Sequence, residues 1–424
     1  MSSYMVSPRG IAAIAMLLIF AAIPVFASWF TQPYYLTLMI RVMIFAIAAV
    51  GLNLILGFGP LVSFGHALYV GIGAYAVGMP AAHGIESGLV HLAAAVAVSG
   101  ACAVIVGAVC LRATGVAFIM ITLAFGQMFY YVAVGLRAYG GDDGLSIARR
   151  SDFGPIDLSS GIVLYYVVYA VLAAFLAFTA LLVEGRFGMV LRGCKSNHRR
   201  MRALGFPTFR YLLVAYVISA MICAVAGFFL ANLTGYASPS YMQWTVSGDL
   251  IVMVVLGGMG TVFGPVVGAT TFLIFEEIFP TIKVGVPILD SLVSVHWLAL
   301  LGLFIILVTL GLKRGLYGVL PARRTPWTGT GTRRRTASAR ARQGWPNGSR
   351  PLEQGDALYV RGVREHVRHP RRRQAEALDV DEHARVARER RRIAGDVDDA
   401  PGPGVRQPAH DVDGAFPGGI DEDL

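Results

Sequence analysis

The sequence predicts an all-α polytopic membrane protein of about ten transmembrane helices, some of them short or broken by glycine, followed by a disordered C-terminal tail. The first observation is composition: the 424 residues are 55% hydrophobic and only 15% charged, whereas about 25% of the residues in soluble domains are charged. The second is that the apolar residues form runs close to the roughly 20 residues that cross a bilayer. The third is an abrupt change of composition at Pro321.

Ten apolar segments are predicted to cross the membrane, because helices packed among others can be shorter than a full span. The first could be mistaken for a secretory signal, but its 21 residues exceed the usual apolar region of one. The ten predicted spans cover residues 10–30, 35–56, 61–79, 88–110, 115–136, 161–183, 209–232, 248–256, 262–279 and 292–312.

A strongly basic loop, residues 184–208, separates the sixth span from the seventh and carries six basic residues and one acid. Short loops rich in Lys and Arg stay in the cytoplasm. Six predicted spans precede this loop and four follow it, and because both numbers are even, residues 1–9 and the C-terminus are predicted to be cytoplasmic too. This count requires residues 248–279 to cross twice, since one long span there would put the C-terminus outside. The predicted organisation is a cytoplasmic N-terminus at 1–9, helices at 10–183, the loop at 184–208, helices at 209–315 and a tail at 316–424.

The Arg-rich tail is predicted to be a disordered cytoplasmic segment. Residues 321–424 contain 20 of the 36 basic and 16 of the 26 acidic residues, and too few large apolar residues to offset the entropy of ordering. Contact of residues 323–335 with anionic lipid is one interpretation, whereas interleaved acids and few aromatics argue against nucleic-acid binding. Out-of-frame translation of a GC-rich gene is the other interpretation.

Glycine-rich apolar sequence at 51–78 contains the first candidate solute-pathway residues. Glycines let helices approach closely or break where they line a cavity, so tight packing is the alternative interpretation. His66 is a functional candidate because ionisable groups inside membranes usually serve a function, although such a histidine, placed near a turn, is more often a hydrogen-bonded packing residue. The candidate pathway residues are Asn53, Ser63, Gly65, His66 and Gln127.

A second small-residue segment contains Gly260, Gly264 and Gly268, four residues apart. This spacing predicts one helix face and indicates helix packing rather than solute binding. Three acidic residues lie near the predicted helix ends, where their carboxylates can reach the membrane interface: Asp249, Glu276 and Glu277.

No catalytic, metal or nucleotide site is predicted. The four cysteines are spread singly, without ligand spacing. Residues 188–196 resemble a phosphate-binding P-loop, but Cys194 stands where the lysine must follow the second glycine. The chain itself is therefore expected to bind no cofactor, and any ATP, with its Mg²⁺, would have to be bound by a separate subunit.

Three stretches together resemble the permease subunits of bacterial branched-chain amino acid ABC importers, the LivH/LivM permease family, and more specifically its M-type member. They are GLNLILGFGPLVSFGHALYVGIGAYAVG at 51–78, residues 112–147, and residues 187–241 with 252–269. The resemblance implies an inner-membrane protein paired with a homologous H-type permease, two cytoplasmic ABC ATPases and an extracytoplasmic amino-acid-binding protein. Branched-chain amino acids are the implied solutes, and relatives also carry urea or short amides.

The resemblance also implies that residues 193–205 form a short cytoplasmic helix that docks on the ATPase. Its basic residues would steer the contact and its apolar residues would be buried in it, whereas a loop needed only for topology is the alternative. Ser196 and His198 stand where similar proteins carry acids. The residues assigned to this coupling are Arg192, Lys195, Arg199, Arg200, Met201, Arg202, Ala203, Leu204 and Gly205.

Two other classes of protein remain open from the sequence. An ion-coupled secondary transporter or channel would more often show membrane-buried acids or a charged relay, and the body of this chain has few. A structural membrane protein is also compatible, because glycine stripes serve packing equally well.

Overall fold

The structure, a computed structural model, describes residues 8–30, 33–154, 158–281, 296–312 and 315–319. Every described residue belongs to the unit Met1–Trp327. Apart from residues 316–319, the tail predicted to be disordered therefore lies outside the described residues.

The described part contains eleven α-helices, and ten of them follow the order of the ten predicted spans. The remaining helix, α7, is the basic segment. The helices are α1 (Pro8–Phe30), α2 (Pro33–Asn53, continued by a π-helical turn at Leu54–Phe58), α3 (His66–Ala82), α4 (Gly88–Cys110), α5 (Val116–Gly135), α6 (Gly161–Glu184), α7 (Arg186–Ala203), α8 (Thr208–Thr234), α9 (Trp244–Gly257), α10 (Gly264–Ile278) and α11 (Trp297–Gly311).

Five of the described helices are long and apolar enough to cross a membrane. They are α4, α5, α6, α8 and the combined segment Tyr34–Phe58, with mean hydropathy between 1.8 and 2.4. Gly10–Pro24, α9 and α11 are shorter apolar helices. With its apolar composition and its helical architecture, the chain is an all-α membrane protein.

The contact between α3 and α8 is the centre of the helix packing. Gly73 faces the backbone of Ala224, and Gly227 faces the backbone of Val70, so closely that a Cβ on either glycine would collide with a carbonyl oxygen. Small residues allow such approach between membrane helices, whose association depends on van der Waals packing. Because α2 and α4 also pack against α8, this helix is buried along most of its length from Ala215 onward.

The third helix begins inside the bundle, so the predicted start of its span at residue 61 is wrong by five residues. His66, the first residue of α3, contacts Ser219 at 2.9 Å. Ser219 lies eleven residues into α8, which is about 16 Å from the beginning of that helix at 1.5 Å per residue.

Residues 59–65 reach this depth as an irregular segment. The backbone N–H of Phe64 donates to Thr122 Oγ1 at 3.2 Å, and Gly65 lies so close to α5 that a Cβ there would be 2.5 Å from the carbonyl oxygen of Thr122. Irregular backbone at membrane depth is tolerated where protein buries and bonds it. Hydropathy does not distinguish such a segment from a helix, which explains the misplaced boundary.

The ninth helix also begins inside the bundle. Ser247, its fourth residue, accepts a hydrogen bond from the N–H of Ala67 at 2.9 Å. Met242, at the end of the 3₁₀ turn Pro239–Met242, packs against Gly71 in α3. Because α9 begins at this depth, it need not be long enough to cross the whole membrane. It has 14 residues and is therefore longer than the predicted span of 248–256.

α9 and α10 form an antiparallel hairpin, because Gly257 lies against Gly264 and Gly268 lies against Met253. The region predicted at 248–279 therefore forms two separate helices and not the one long span that was the alternative. The expected stripe of three glycines is not formed: Gly260 lies in the connecting turn with φ of +76°, since α10 begins only at Gly264.

Several irregular segments meet at one end of the bundle, which we call the α7 end. Lys195 of α7 contacts the π-helical turn, and Gly57 of that turn lies against the backbone of Gly260. The N–H of Leu316 donates to the carbonyl of Leu256 at 2.9 Å, which brings the segment after α11 to the same end. The two-stranded sheet, β1 (Leu145–Ser146) with β2 (Tyr236–Ala237), lies at the opposite end.

Candidate functional sites: the basic helix, the buried polar centre and the charged pocket

The basic helix α7 consists of two helical parts joined at Asn197, whose φ of −159° and ψ of 99° are extended. Asn197 Oδ1 accepts a hydrogen bond from the backbone N–H of Arg200 at 2.9 Å, as an N-cap residue does for the helix that follows it. Met201 in the second part packs against Gly193 in the first. The cap and this contact together fix the angle between the two parts.

One side of α7 is bonded to the membrane helices through two of the predicted coupling residues. Lys195 Nζ donates to the carbonyl oxygens of Leu56 at 3.1 Å and Gly57 at 2.5 Å. The guanidinium of Arg192 donates to the carbonyl of Val183 at 3.1 Å. Partial burial lowers the pKa of Lys195. Both side chains therefore hold α7 in place within the chain.

The other side of α7 is exposed and basic. Arg199, Arg200 and Arg202 are all exposed, and none of the acidic residues that the structure describes lies within ion-pair distance of them. Leu204 is 65% exposed and Phe206 is 38% exposed, so two large apolar side chains lie beside the cationic surface. Of the other predicted coupling residues, Ala203 and Gly205 are exposed and Met201 is half-buried.

His198 and Ser196, the two positions where the resemblance leads one to expect acids, lie at the bend in α7. Ser196 is exposed, and His198 Nε2 lies 3.3 Å from Thr208 Oγ1. Burial and the nearby Arg202 lower the pKa of His198. The imidazole of His198 therefore contacts the start of α8, and it does not supply the negative charge that an acid would supply at this position.

His66 lies at the centre of a fully bonded polar cluster. Ser219 Oγ donates its only proton to the carbonyl of Gly51 at 2.6 Å, so His66 Nε2 must donate to Ser219 at 2.9 Å. His66 Nδ1 then accepts from the hydroxyl of Ser63 at 2.9 Å. The imidazole is thus neutral with both nitrogens bonded, and its ring packs edge-on against Tyr216. These contacts favour the packing interpretation of His66.

Replacing His66 with leucine is expected to lower the stability of the protein by roughly 2–5 kcal/mol, because the buried hydroxyls of Ser63 and Ser219 each lose a partner. His66→Gln, which keeps a donor and an acceptor, should lose less. Thermal unfolding of the purified variants in detergent measures both effects. An unchanged unfolding temperature for His66→Leu, together with loss of transport, would instead assign the imidazole to the solute.

Asn53 connects the end of α2 to the turn between α9 and α10. Its Nδ2 donates to the carbonyl of Thr261 at 2.8 Å, and its Oδ1 accepts from the N–H of Gly260 at 3.2 Å. The side chain is fully buried. Both halves of the amide are therefore used to hold backbone at the α7 end.

The predicted pathway residues do not form one site. Ser63, Gly65 and His66 lie together at the start of α3, whereas Asn53 lies at the α7 end. Gln127 follows Gly126, which contacts Gly65, and its Nε2 is buried without a hydrogen-bond partner among the residues that the structure describes. Of the five, only Gln127 therefore offers an unused polar group.

A charged pocket at the end opposite α7 was missed by the sequence analysis. Arg41 of α2 pairs with Glu276 of α10 at 3.6 Å, and the hydroxyl of Tyr34 donates to Glu277. The pocket has a volume of about 360 Å³. The available signal was Arg41 itself, a cation within the predicted span 35–56. The pocket is lined by Tyr34, Thr37, Leu38, Arg41, Phe45, Leu230, Leu233, Thr234, Tyr241 and Glu277.

The described residues contain no group of three His, Cys, Asp or Glu side chains arranged to hold a metal ion. The four cysteines are free. The absence of a metal, cofactor or nucleotide site from the whole chain stays a prediction from the sequence.

Comparison with known proteins assigns a family. The family described as "Branched-chain amino acid transport system / permease component" matches residues 34–310. The "High-affinity branched-chain amino acid transport system permease protein LivM" of Salmonella typhimurium is 26% identical over 260 residues, which cover 56% of this chain and 61% of that protein. LivM of Escherichia coli is 25% identical over the same extent. LivH of Escherichia coli is 30% identical over 105 residues, or 25% of this chain and 34% of LivH.

The chain spans about three fifths of the length of the LivM relatives that it matches. No solved structure matches it. The family match, in contrast, covers well over half of the chain and includes α2 through most of α11. The chain therefore belongs to the family of branched-chain amino acid transport system permease components, and its sequence is of the LivM type.

Proposed function

We propose that this chain is the transmembrane permease subunit of an ATP-driven importer for branched-chain or related small amino acids, forms part of the solute pathway and couples it to a separate ATPase. The observation that carries this proposal is the two-sided construction of α7: one side is bonded to the membrane helices, and the other presents arginines and exposed apolar side chains. Family membership and the names of the LivM and LivH relatives support the choice of transport and of solute.

The exposed side of α7 fits a protein partner better than water. Leu204 and Phe206, directly after the end of α7, are exposed apolar side chains, and Arg199, Arg200 and Arg202 near that end of the helix add positive charge. Such an arrangement favours steering by an acidic partner surface followed by burial of the apolar residues. We assign this partner to the cytoplasmic ABC ATPase, of which two copies are expected, each binding ATP and Mg²⁺.

A continuous chain of contacts leads from α7 into the membrane helices. Lys195 holds the carbonyls of the π-helical turn, and that turn follows directly after Asn53, whose amide holds Gly260 and Thr261. π-helical turns often occur at functional positions in membrane and enzyme helices. Movement of α7 by a closing ATPase would thus pull on α2 and on the α9–α10 hairpin together.

In the proposed orientation, the α7 end lies on the cytoplasmic side of a bacterial inner membrane, since residues 184–208 form the most basic segment between membrane helices. The α9–α10 hairpin then supplies two of ten crossings, with both termini cytoplasmic. A homologous H-type permease would complete the pathway, and an extracytoplasmic binding protein would deliver solute at the opposite end.

The tail beyond residue 319 keeps its two interpretations. The nucleotide sequence separates them, because an overlapping ATPase reading frame would support out-of-frame translation and its absence would contradict it.

Reconstitution tests the proposal directly. The chain, an H-type permease, the ATPases and the binding protein are placed in liposomes, and uptake of labelled leucine is measured with and without ATP. Uptake that requires ATP and all four components is the expected result. Uptake by the permeases alone, driven by an ion gradient, would make the chain a secondary transporter and overturn the proposal.

Reversing the charge of α7 in the triple variant Arg199→Glu, Arg200→Glu, Arg202→Glu is expected to weaken ATPase association by at least about 10-fold, because like charges would then face an acidic surface. Surface-immobilised permease with soluble ATPase measures the affinity. The matched triple lysine variant keeps the charge and should bind within about 3-fold of the unmodified chain. Equal affinity of the glutamate variant would remove α7 from the interface.

A further inference from the structure

The charged pocket lies on one face of α2, away from the α7 end. Tyr34, Leu38, Arg41 and Phe45 follow one another at spacings of three or four residues, which places them in a row along the helix. Arg41 is eight residues beyond the start of α2, or about 12 Å along its axis at 1.5 Å per residue. The pocket therefore extends from the end of α2 that is predicted to be extracytoplasmic to the level of Arg41, within the apolar part of the bundle.

The charges at this depth are exposed in the single chain. The side chain of Arg41 is 44% exposed and that of Glu276 is 30% exposed, and Asp249 interacts electrostatically with both. Among the described residues, Glu276 at 3.6 Å is the only ion-pair partner of Arg41. Because charged groups inside membranes face other protein or an aqueous path rather than lipid, this face of the chain is turned to a partner or to a solute.

Three properties of the pocket match one kind of solute. A guanidinium can hold a carboxylate through two parallel hydrogen bonds, and the carboxylate of Glu277, which lines the pocket, can accept from an ammonium group. Leu38, Leu230 and Leu233 form an apolar wall. The volume of about 360 Å³ lies within the range of small-molecule sites.

We infer that this pocket binds a zwitterionic α-amino acid with an apolar side chain, with its carboxylate on Arg41, its ammonium group on Glu277, and its side chain against the leucines. This inference rests on the proposed transport function and gives it a residue-level site. The contact between Arg41 and Glu276 is longer than a hydrogen bond, so the guanidinium keeps donors for a ligand. A phenyl ring, that of Phe45, lies 5.9 Å below the guanidinium and stabilises its charge in the absence of solute.

The first test uses the unmodified complex of both permeases and the ATPases in nanodiscs, without binding protein. Equilibrium binding of labelled leucine is measured against two competitors: leucinamide, which lacks the carboxylate, and 4-methylpentanoate, which lacks the ammonium group. Each should compete at least about 10-fold less well than leucine, since each leaves one charged partner unsatisfied. Equal competition by either compound, or no binding of leucine, overturns the inference.

The second test locates the site. Arg41→Gln is expected to weaken leucine binding about 10- to 100-fold and to lower the number of solute molecules imported per ATP hydrolysed. Arg149→Gln is the matched control, because Arg149 forms the other described ion pair, at 3.5 Å with Glu86, in the loop before α6. It should leave leucine binding unchanged.

A neutral pair, Arg41→Met with Glu276→Met, separates solute binding from a simple contact. Replacing an ion pair by apolar residues of similar volume often preserves stability and assembly. We expect the pair variant to copurify with its partners and to lose import. Import at the unmodified rate, or failure of Arg41→Gln alone to assemble with the second permease, would show a contact between permeases and overturn the inference. Absence of ATP-driven import by the unmodified complex would instead refute the proposed function.

Discussion

Replacing Gly227 with leucine is expected to prevent correct folding, with a loss of about 3 kcal/mol or more in the free energy of unfolding. A Cβ at Gly227 would collide with the carbonyl oxygen of Val70, and the reciprocal contact places Gly73 against Ala224. Backbone atoms on both sides cannot move as a flexible side chain would. The two helices would have to separate, and the dispersion energy that holds membrane helices together would be lost along the whole contact.

The measurement is the yield of monodisperse protein in detergent together with its thermal unfolding temperature. Gly302→Leu is the matched control, because Gly302 also lies within an apolar helix and an added Cβ there would meet no atom within 4 Å. The control should unfold at nearly the temperature of the unmodified protein. If Gly227→Leu does so too, α3 and α8 are not in close contact at this glycine.

The helical framework is largely predictable because hydropathy is a local property of the sequence. The predicted span at 88–110 has the same bounds as α4, and α6 differs from its predicted span by one residue. The same property fails at residues 59–65, where buried irregular backbone is as apolar as a helix. Whether such a segment is helical is decided by tertiary hydrogen bonds, such as that between Phe64 and Thr122, which leave no periodic trace in one sequence.

The candidate sites were less predictable for a related reason. The sequence shows that α7 is basic, but the opposite uses of Lys195 and Arg199 depend on the bend at Asn197 and on which surface the membrane helices cover. The pairing of Arg41 with Glu276 joins residues that are far apart in the chain and that hydropathy places in different spans. Each charge by itself is compatible with reaching the membrane interface, and only their proximity indicates a pocket.

Replacing Lys195 with methionine is expected to separate ATP hydrolysis from import. Methionine retains most of the length and apolar character of the side chain, but it cannot donate to the carbonyls of Leu56 and Gly57. The exposed arginines remain, so ATPase association should stay within about 3-fold of normal. Hydrogen bonds from a charged group contribute about 1.5–3 kcal/mol, so a loss of this link should reduce import roughly 10- to 100-fold.

The ratio of leucine imported to ATP hydrolysed in liposomes measures this effect, because a defect in docking would lower both quantities together. Arg186→Met is the matched control: Arg186 is exposed at the start of the same helix, and its substitution should leave the ratio unchanged. An unchanged ratio for Lys195→Met would mean that movement passes from α7 to the membrane helices by another route, such as its direct continuation into α8. Loss of ATPase association would instead place Lys195 on the docking surface, as its charge alone had suggested.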